Sequence, residues 1–439
     1  MRRCYHDVVK THAGFHRLIG WLAAAELPIV VLIAPALLFP APTRVLIALV
    51  VPITWVCHRY LGGLLIPPTP LNASILLLLA MTGVSLAATS DIAFSTGKVS
   101  GVLLGVILFW AIVRWMTTPS RLMLGIWWFV LAGASLAIIG LLGTDFMDKF
   151  PVFGTVIGRI PKVIRGVPGA EEGFQPNAVA GCLVLFVPLQ VALLVTRSRV
   201  ALRRPVRMSA IVTFLLPALL LALTAGTLLL TQSRGAWVGL AVATVAFFVW
   251  HGWRTRALAA VAAGAVAVLA FARGSEWLVD LAISRSGRGM AGNVSGRMEL
   301  WSRALSGIQD FAFTGMGMNA FRRVMPVLYP TSLTAPGVDV AHAHNHLLQA
   351  ALDLGIPGLI AYLAIWLLVG VLLVRVYRCG DEATHRTVAS GLGVGLIAHF
   401  VFSLTDAIPL GAKVGVLFWL TLALVVALHQ VALKAHART

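Results

Sequence analysis

The chain has 439 residues, 59% of them hydrophobic and only 11% charged, with a mean hydropathy of +0.91. Soluble domains carry roughly 25% charged residues, and a soluble all-helical protein would show a polar face on each helix. The composition excludes that class and points to an all-α polytopic membrane protein, each span needing about 20 mostly apolar residues.

The net charge of +18 does not point to nucleic acid. No RNA- or DNA-binding module is present, and basic loops beside anionic lipid account for the excess. Cys4, Cys57, Cys182 and Cys379 are scattered without a CxxC pair, so no structural disulfide is expected.

The basic start MRRCYHDVVKTHAGFHR leads into an apolar segment without a small-residue cleavage site. It reads as a retained first helix rather than a signal peptide. Twelve apolar segments are candidate spans, near 18–38, 44–57, 71–88, 99–116, 121–141, 176–195, 208–230, 235–250, 256–272, 356–376, 387–405 and 414–433. Residues 1–272 thus hold nine helices with a smaller outer loop at 142–175. Residues 273–355 form a large outer loop, and 356–439 hold the last three helices and a tail. With the N-terminus in the cytoplasm, TRSRVALRRPVR, HGWRTR, VRVYRCGDEATHR and LKAHART fall inside and hold most of the Lys and Arg of the short connections. That asymmetry places both termini in the cytoplasm.

The large loop is not low in hydrophobicity. In GRMELWSRALSGIQDFAF, Met298, Leu300, Trp301, Leu305, Ile308 and Phe311 recur near helical spacing, which predicts an amphipathic helix in a folded cap. Later in the loop, DVAHAHNHLLQAALDLGIPG puts His342, His344 and His346 within five positions. Asn345 is a suitable N-cap, Gly355 a C-terminal stop, and Pro357 cannot continue the helix. His344 then stands just before a helix N-terminus, which attracts anions and favours a neutral imidazole. A neutral histidine there can act as a general base.

Two other readings of the run stand beside that one. His342 and His346 would be i,i+4 if the helix extended back, as two zinc ligands are. Yet there is no HExxH and no cysteine in the outer loops, and only Asp339 and Asp353 are close carboxylates; no metal is expected. The bland reading is a set of polar interfacial histidines. Arginines gather on the same face: Arg234 in TQSRGAWVGL, Arg297 and Arg303 on the cap, Arg165 in the smaller loop. Arg234 sits between apolar runs, where burying an unpaired charge costs about 2.5–3.5 kcal/mol. Either it snorkels to headgroups, or it is a permanent cation for an anionic lipid, its planar fork suiting a diphosphate.

His344, Asn345, nine residues, Gly355, Ile356, Pro357, Gly358 resembles the signature of the O-antigen ligase and polymerase superfamily. SRGAW (233–237), SGRMELWSRALSGIQDFAFTGMGMNAF (295–321) and FQPNAVAGCLVLFVPL (174–189) resemble further stretches of that superfamily. The resemblance implies a GT-C-like glycosyltransferase of the bacterial inner membrane, active on the periplasmic face without metal or cofactor. It implies an undecaprenyl diphosphate-linked glycan as donor and, in the ligase branch, a lipid A–core hydroxyl as acceptor. His344 would be the base, and Arg234 and Arg297 would hold the diphosphate, with Asn345 in the signature. Arg303 joins the substrate-binding set, while His342, His346 and Arg165 are candidates with open roles. O-antigen polymerase and protein O-oligosaccharyltransferase share the pattern. A transporter is the alternative of another class, disfavoured because acidic residues are nearly absent from the spans, with Glu26 the clearest exception.

Overall fold

The computed structural model describes residues 14–40, 44–146, 150–168, 170–201, 208–251, 257, 294–332, 339–380 and 382–436. All but residue 257 of the expected span 256–272, and the loop over 273–293, lie outside the described residues. Regular structure among them is helical; the two β-bridges are isolated. The helices are α1 Gly14–Ala24, α2 Glu26–Leu38, α3 Val50–Tyr60, α4 Asn72–Ala88, α5 Ile92–Trp115 and α6 Pro119–Gly143. They continue with α7 Pro151–Ile157, α8 Pro176–Leu183, α9 Val187–Ala201, α10 Met208–Leu230 and α11 Arg234–His251. The last are α12 Val294–Asp310, α13 Phe321–Leu328, α14 His346–Cys379, α15 Ala383–Ser403 and α16 Val416–His436.

Each expected span within the described residues coincides with a helix. Six stretches are long and apolar enough to cross a membrane: Ile92–Trp115, Pro119–Gly143, Pro176–Thr196, His346–Arg378, Ala383–Ser403 and Lys413–Lys434. The pair α1 and α2, bent by 55°, makes up to a seventh. Leu46–Tyr60, Asn72–Ala88, Phe214–Leu230 and Arg234–Val249 are apolar but shorter. At 1.5 Å per residue α4 rises only about 26 Å, less than the roughly 30 Å of a bilayer core, whereas the whole of α10, Met208–Leu230, rises about 35 Å. Among the described residues, length and composition by themselves identify six crossings, or up to seven with the bent pair.

The main core joins α4, α5, α6, α14, α15 and α16 around Phe109, Phe129, Phe186 and Trp419. α11 packs along α15, α4 along α14, and α5 along α16. Small residues set these approaches, as in other membrane bundles: a Cβ on Gly239 would come within 2.5 Å of the Ala398 carbonyl oxygen. Trp21, Leu32, Leu219 and Leu367 point outward and are exposed, an apolar shell suited to lipid. Glu26 is buried at the α1–α2 bend, 2.9 Å from Arg114 Nε and accepting from Trp55 Nε1. Cys57 and Cys182 are free and buried.

A smaller core sits apart from the main one. It joins Leu300 and Ala304 of α12 to Met316, Phe321 and Met325, and to Ala343 and Leu352. The amphipathic helix expected here is α12, but its buried stripe runs through Arg297, Leu300 and Ala304, while Met298 and Leu305 are exposed. Hydrogen bonds tie this layer to the ends of α4 and α5: Met318 N–H to Ser85 Oγ at 2.8 Å and Asn319 Nδ2 to Phe94 O at 3.1 Å, with an Arg323–Asp91 ion pair.

Candidate active site

The site is built on the entry to α14. Asn345 has extended backbone, and its Oδ1 accepts from Leu347 N–H at 2.9 Å and Leu348 N–H at 3.2 Å, the N-cap its type favours. Its Nδ2 donates to Leu404 O at 3.2 Å. Both ends of the amide are thus engaged in joining α14 to the α15–α16 connection. The first segment of α14 stops at Gly355, where φ is 70° and ψ 178°. A Cβ there would lie 2.1 Å from Phe313 O, and Ile356 N–H donates to Ala312 O at 2.7 Å. The expected helix stop is real, and close packing of residues 312–316 on residues 352–356 explains it.

His344 precedes this cap in a left-handed conformation, φ 50°, costly for a residue with a side chain. Its neighbour Ala343 is pinned on both sides: the N–H donates to Gln349 Oε1 at 2.8 Å and the carbonyl accepts from Trp301 Nε1 at 3.0 Å. Gln349 Nε2 in turn donates to Asp353 Oδ1 at 2.8 Å. The surroundings therefore impose the strained turn that swings the His344 ring toward Asp406.

His344 Nδ1 lies 3.0 Å from Asp406 Oδ1, and Asp406 Oδ2 accepts from Asn177 Nδ2 at 2.8 Å. Burial would raise the Asp406 pKa. The His344 hydrogen bond and the Arg297 charge outweigh it and hold the carboxyl well below the usual carboxylate range. An ionised carboxylate only accepts, so His344 donates to it through Nδ1–H, which in a neutral ring leaves Nε2 as the accepting nitrogen. That is the tautomer a general base needs.

The three histidines are not equivalent. His342 Nδ1 accepts the His344 backbone N–H at 3.2 Å, and the two rings lie 4.4 Å apart. Burial, then His344, Lys98 and Arg322, push its pKa down to about 3 against the opposing pull of Asp406, so it is neutral at ordinary pH. His346 points the other way. It is buried beside Tyr362, Trp366 and Phe400, its Nδ1 2.9 Å from the Tyr362 hydroxyl.

The arginines also divide. Arg297 is buried, 7% exposed, and feels the Asp406 charge; burial lowers its pKa while Asp406 opposes the shift. Arg234 opens α11 after a turn with Gln232 at φ 51°, and its guanidinium lies 5.2 Å from the Phe150 ring centre. The next residue, Gly235, faces Thr405 and Phe402 on the α15 side, so the start of α11 abuts the segment leading to Asp406. Arg303 lies on the exposed face of α12, and Arg165 on an exposed loop. Neither shows a contact with the His344 cluster.

Of the carboxylates thought close, Asp339 pairs with Arg322 at 2.8 Å and Asp353 takes Gln349. The one at His344 is Asp406, 62 residues downstream, which the sequence reading missed. The available signal was an acid between the last two apolar segments, in LTDAIP. Asn177 was also missed, though it lies within FQPNAVAG, one of the quoted stretches. His342, His344 and Asp406 offer ligand atoms within 4.8 Å of one another.

A comparison with curated proteins gives no match. A family model described as O-antigen ligase matches residues 218–363. The matched segment begins in α10 and ends within α14, so it holds Arg234, Arg297, His344 and Asn345, while Asn177 and Asp406 lie outside it. With its long apolar helices, the chain is a multi-pass membrane protein whose residues 218–363 match the O-antigen ligase family model.

Proposed function

We propose that the chain is an O-antigen ligase, transferring a glycan from undecaprenyl diphosphate to a sugar hydroxyl of lipid A–core. The observation that carries this reading is the His344–Asp406 pair beside Arg297, within and next to the matched family segment. In the reaction, His344 Nε2 takes the proton of the acceptor hydroxyl. The acceptor oxygen bonds to the anomeric carbon as the bond from that carbon to the diphosphate oxygen breaks. Undecaprenyl diphosphate leaves with the electron pair, and the anomeric centre inverts. Asp406 offsets the positive charge that forms on His344, and Arg234 and Arg297 offset the charge developing on the diphosphate. No step calls for a metal.

The same reading has twelve crossings, both termini in the cytoplasm of a bacterial inner membrane, and the layer around α12 on the periplasmic face. The test is transfer from a purified undecaprenyl diphosphate glycan onto rough lipopolysaccharide by the purified chain. Product with wild type and none with His344→Ala supports the reading. Growth of the glycan on its own carrier, without rough lipopolysaccharide, would move the chain to the polymerase branch.

A further inference from the structure

The groups that meet before α14 can hold more than a proton. His342, His344 and Asp406 each offer one ligand atom, all within 4.8 Å of one another. Two imidazoles and one carboxylate are the donor set of open zinc sites, with the fourth position left to water. Hard cations do not fit this set, since magnesium and calcium call for six or more oxygens. The three groups are partly buried, and each has a fixed place. His344 is held by its pinned neighbour Ala343, Asp406 by Asn177 at 2.8 Å, and the His342 ring lies 4.4 Å from that of His344.

A cation there cannot coexist with a His344 that is both paired with Asp406 and free to take a proton. His342 Nδ1 uses its lone pair on the His344 N–H, and Asp406 Oδ1 receives His344 Nδ1–H. If the metal takes His344 through Nε2, the lone pair meant for the acceptor proton is gone. If it takes Nδ1, the bond to Asp406 is gone, and with it the tautomer that frees Nε2. The metal-bound and base-competent forms exclude each other.

We propose that His342, His344 and Asp406 form an inhibitory site for a first-row transition metal, with zinc as the best fit. Binding follows from the donor set alone; inhibition rests on the base role proposed above. The test uses the full-length, tag-free protein in detergent after chelator washing. Cobalt titration gives a visible d–d band at one equivalent, and zinc abolishes it. Zinc at saturation stops glycan transfer, and chelator restores it. His342→Ala loses the band, and the zinc needed to halve its own metal-free rate rises at least about tenfold. If that variant does not fold, His342→Gln carries the same test.

Absence of cobalt or zinc binding at submillimolar metal overturns the site. Binding that survives both His342→Ala and Asp406→Asn overturns its assignment to these residues. Zinc-stimulated transfer overturns the inhibitory role. Cobalt bound through His342 in a protein that transfers no glycan upholds the site, and the transferase reading falls instead.

Discussion

His344, Asp406 and His342 divide one task, and single substitutions separate their parts. His344→Ala removes the base and is expected to cut transfer by about 10²–10⁴-fold, read as the rate of lipopolysaccharide glycosylation. Asp406→Asn keeps the shape, but the side chain can then donate to Nδ1 and reverse the tautomer. We expect kcat to fall at least about 10²-fold with KM nearly unchanged; an equal loss in KM alone would count against a positioning role. His342 gives a pH effect. Its folded pKa of about 3 lies below the unfolded value near 6.5, so the unfolded chain binds more protons between these limits. Stability therefore drops as pH falls through that window, by at most about 1.4 kcal/mol per unit from this residue. Melting temperatures in detergent between pH 6.5 and 4.5 are expected to fall less steeply for His342→Gln than for wild type.

At the scale of elements, the entry to α14 decides whether the residues meet. Gly355→Ala places a side chain at φ 70° with its Cβ 2.1 Å from Phe313 O. We expect a loss of more than about 2 kcal/mol, visible as a lower melting temperature, with α14 and residues 312–316 parting. Asn345→Ala removes an N-cap worth about 1 kcal/mol together with the link to Leu404 O. It is expected to lower transfer more than stability, because the link holds the segment carrying Asp406. The signature residues flanking this helix set the backbone on which His344 stands.

At the scale of the whole molecule, the proposed orientation rests on charge: the positive-inside rule would keep the basic connections in the cytoplasm and put the His344 site on the opposite face. In a cysteine-free background, Arg303→Cys is expected to react with a membrane-impermeant thiol reagent in cells with a permeabilised outer membrane. Arg121→Cys is expected to react only after the inner membrane is opened. The reverse pattern would invert the topology and put the site in the cytoplasm.

Much was legible before any coordinates. Apolar runs marked every described helix that coincides with an expected span, since a chain in lipid must satisfy its backbone within helices. Local punctuation marked the cap at Asn345 and the break at Gly355, because residue type signals both, even though packing against residues 312–316 also enforces the break. Length alone could not fix the count of crossings, as several apolar helices fall short of a bilayer. The partner of His344 was also out of reach. Asp406 and Asn177 lie 62 and 167 positions away from it, and only the packing of α8, α14 and the α15–α16 connection brings the three together. The fate of the histidine run was decided in the same way. Spacing makes His342, His344 and His346 look alike, but one left-handed turn, enforced by Trp301 and Gln349, sends one ring to a carboxylate and leaves another among aromatics. Pattern determines which segments are helical; the long-range contacts that close the site exist only once those helices have packed.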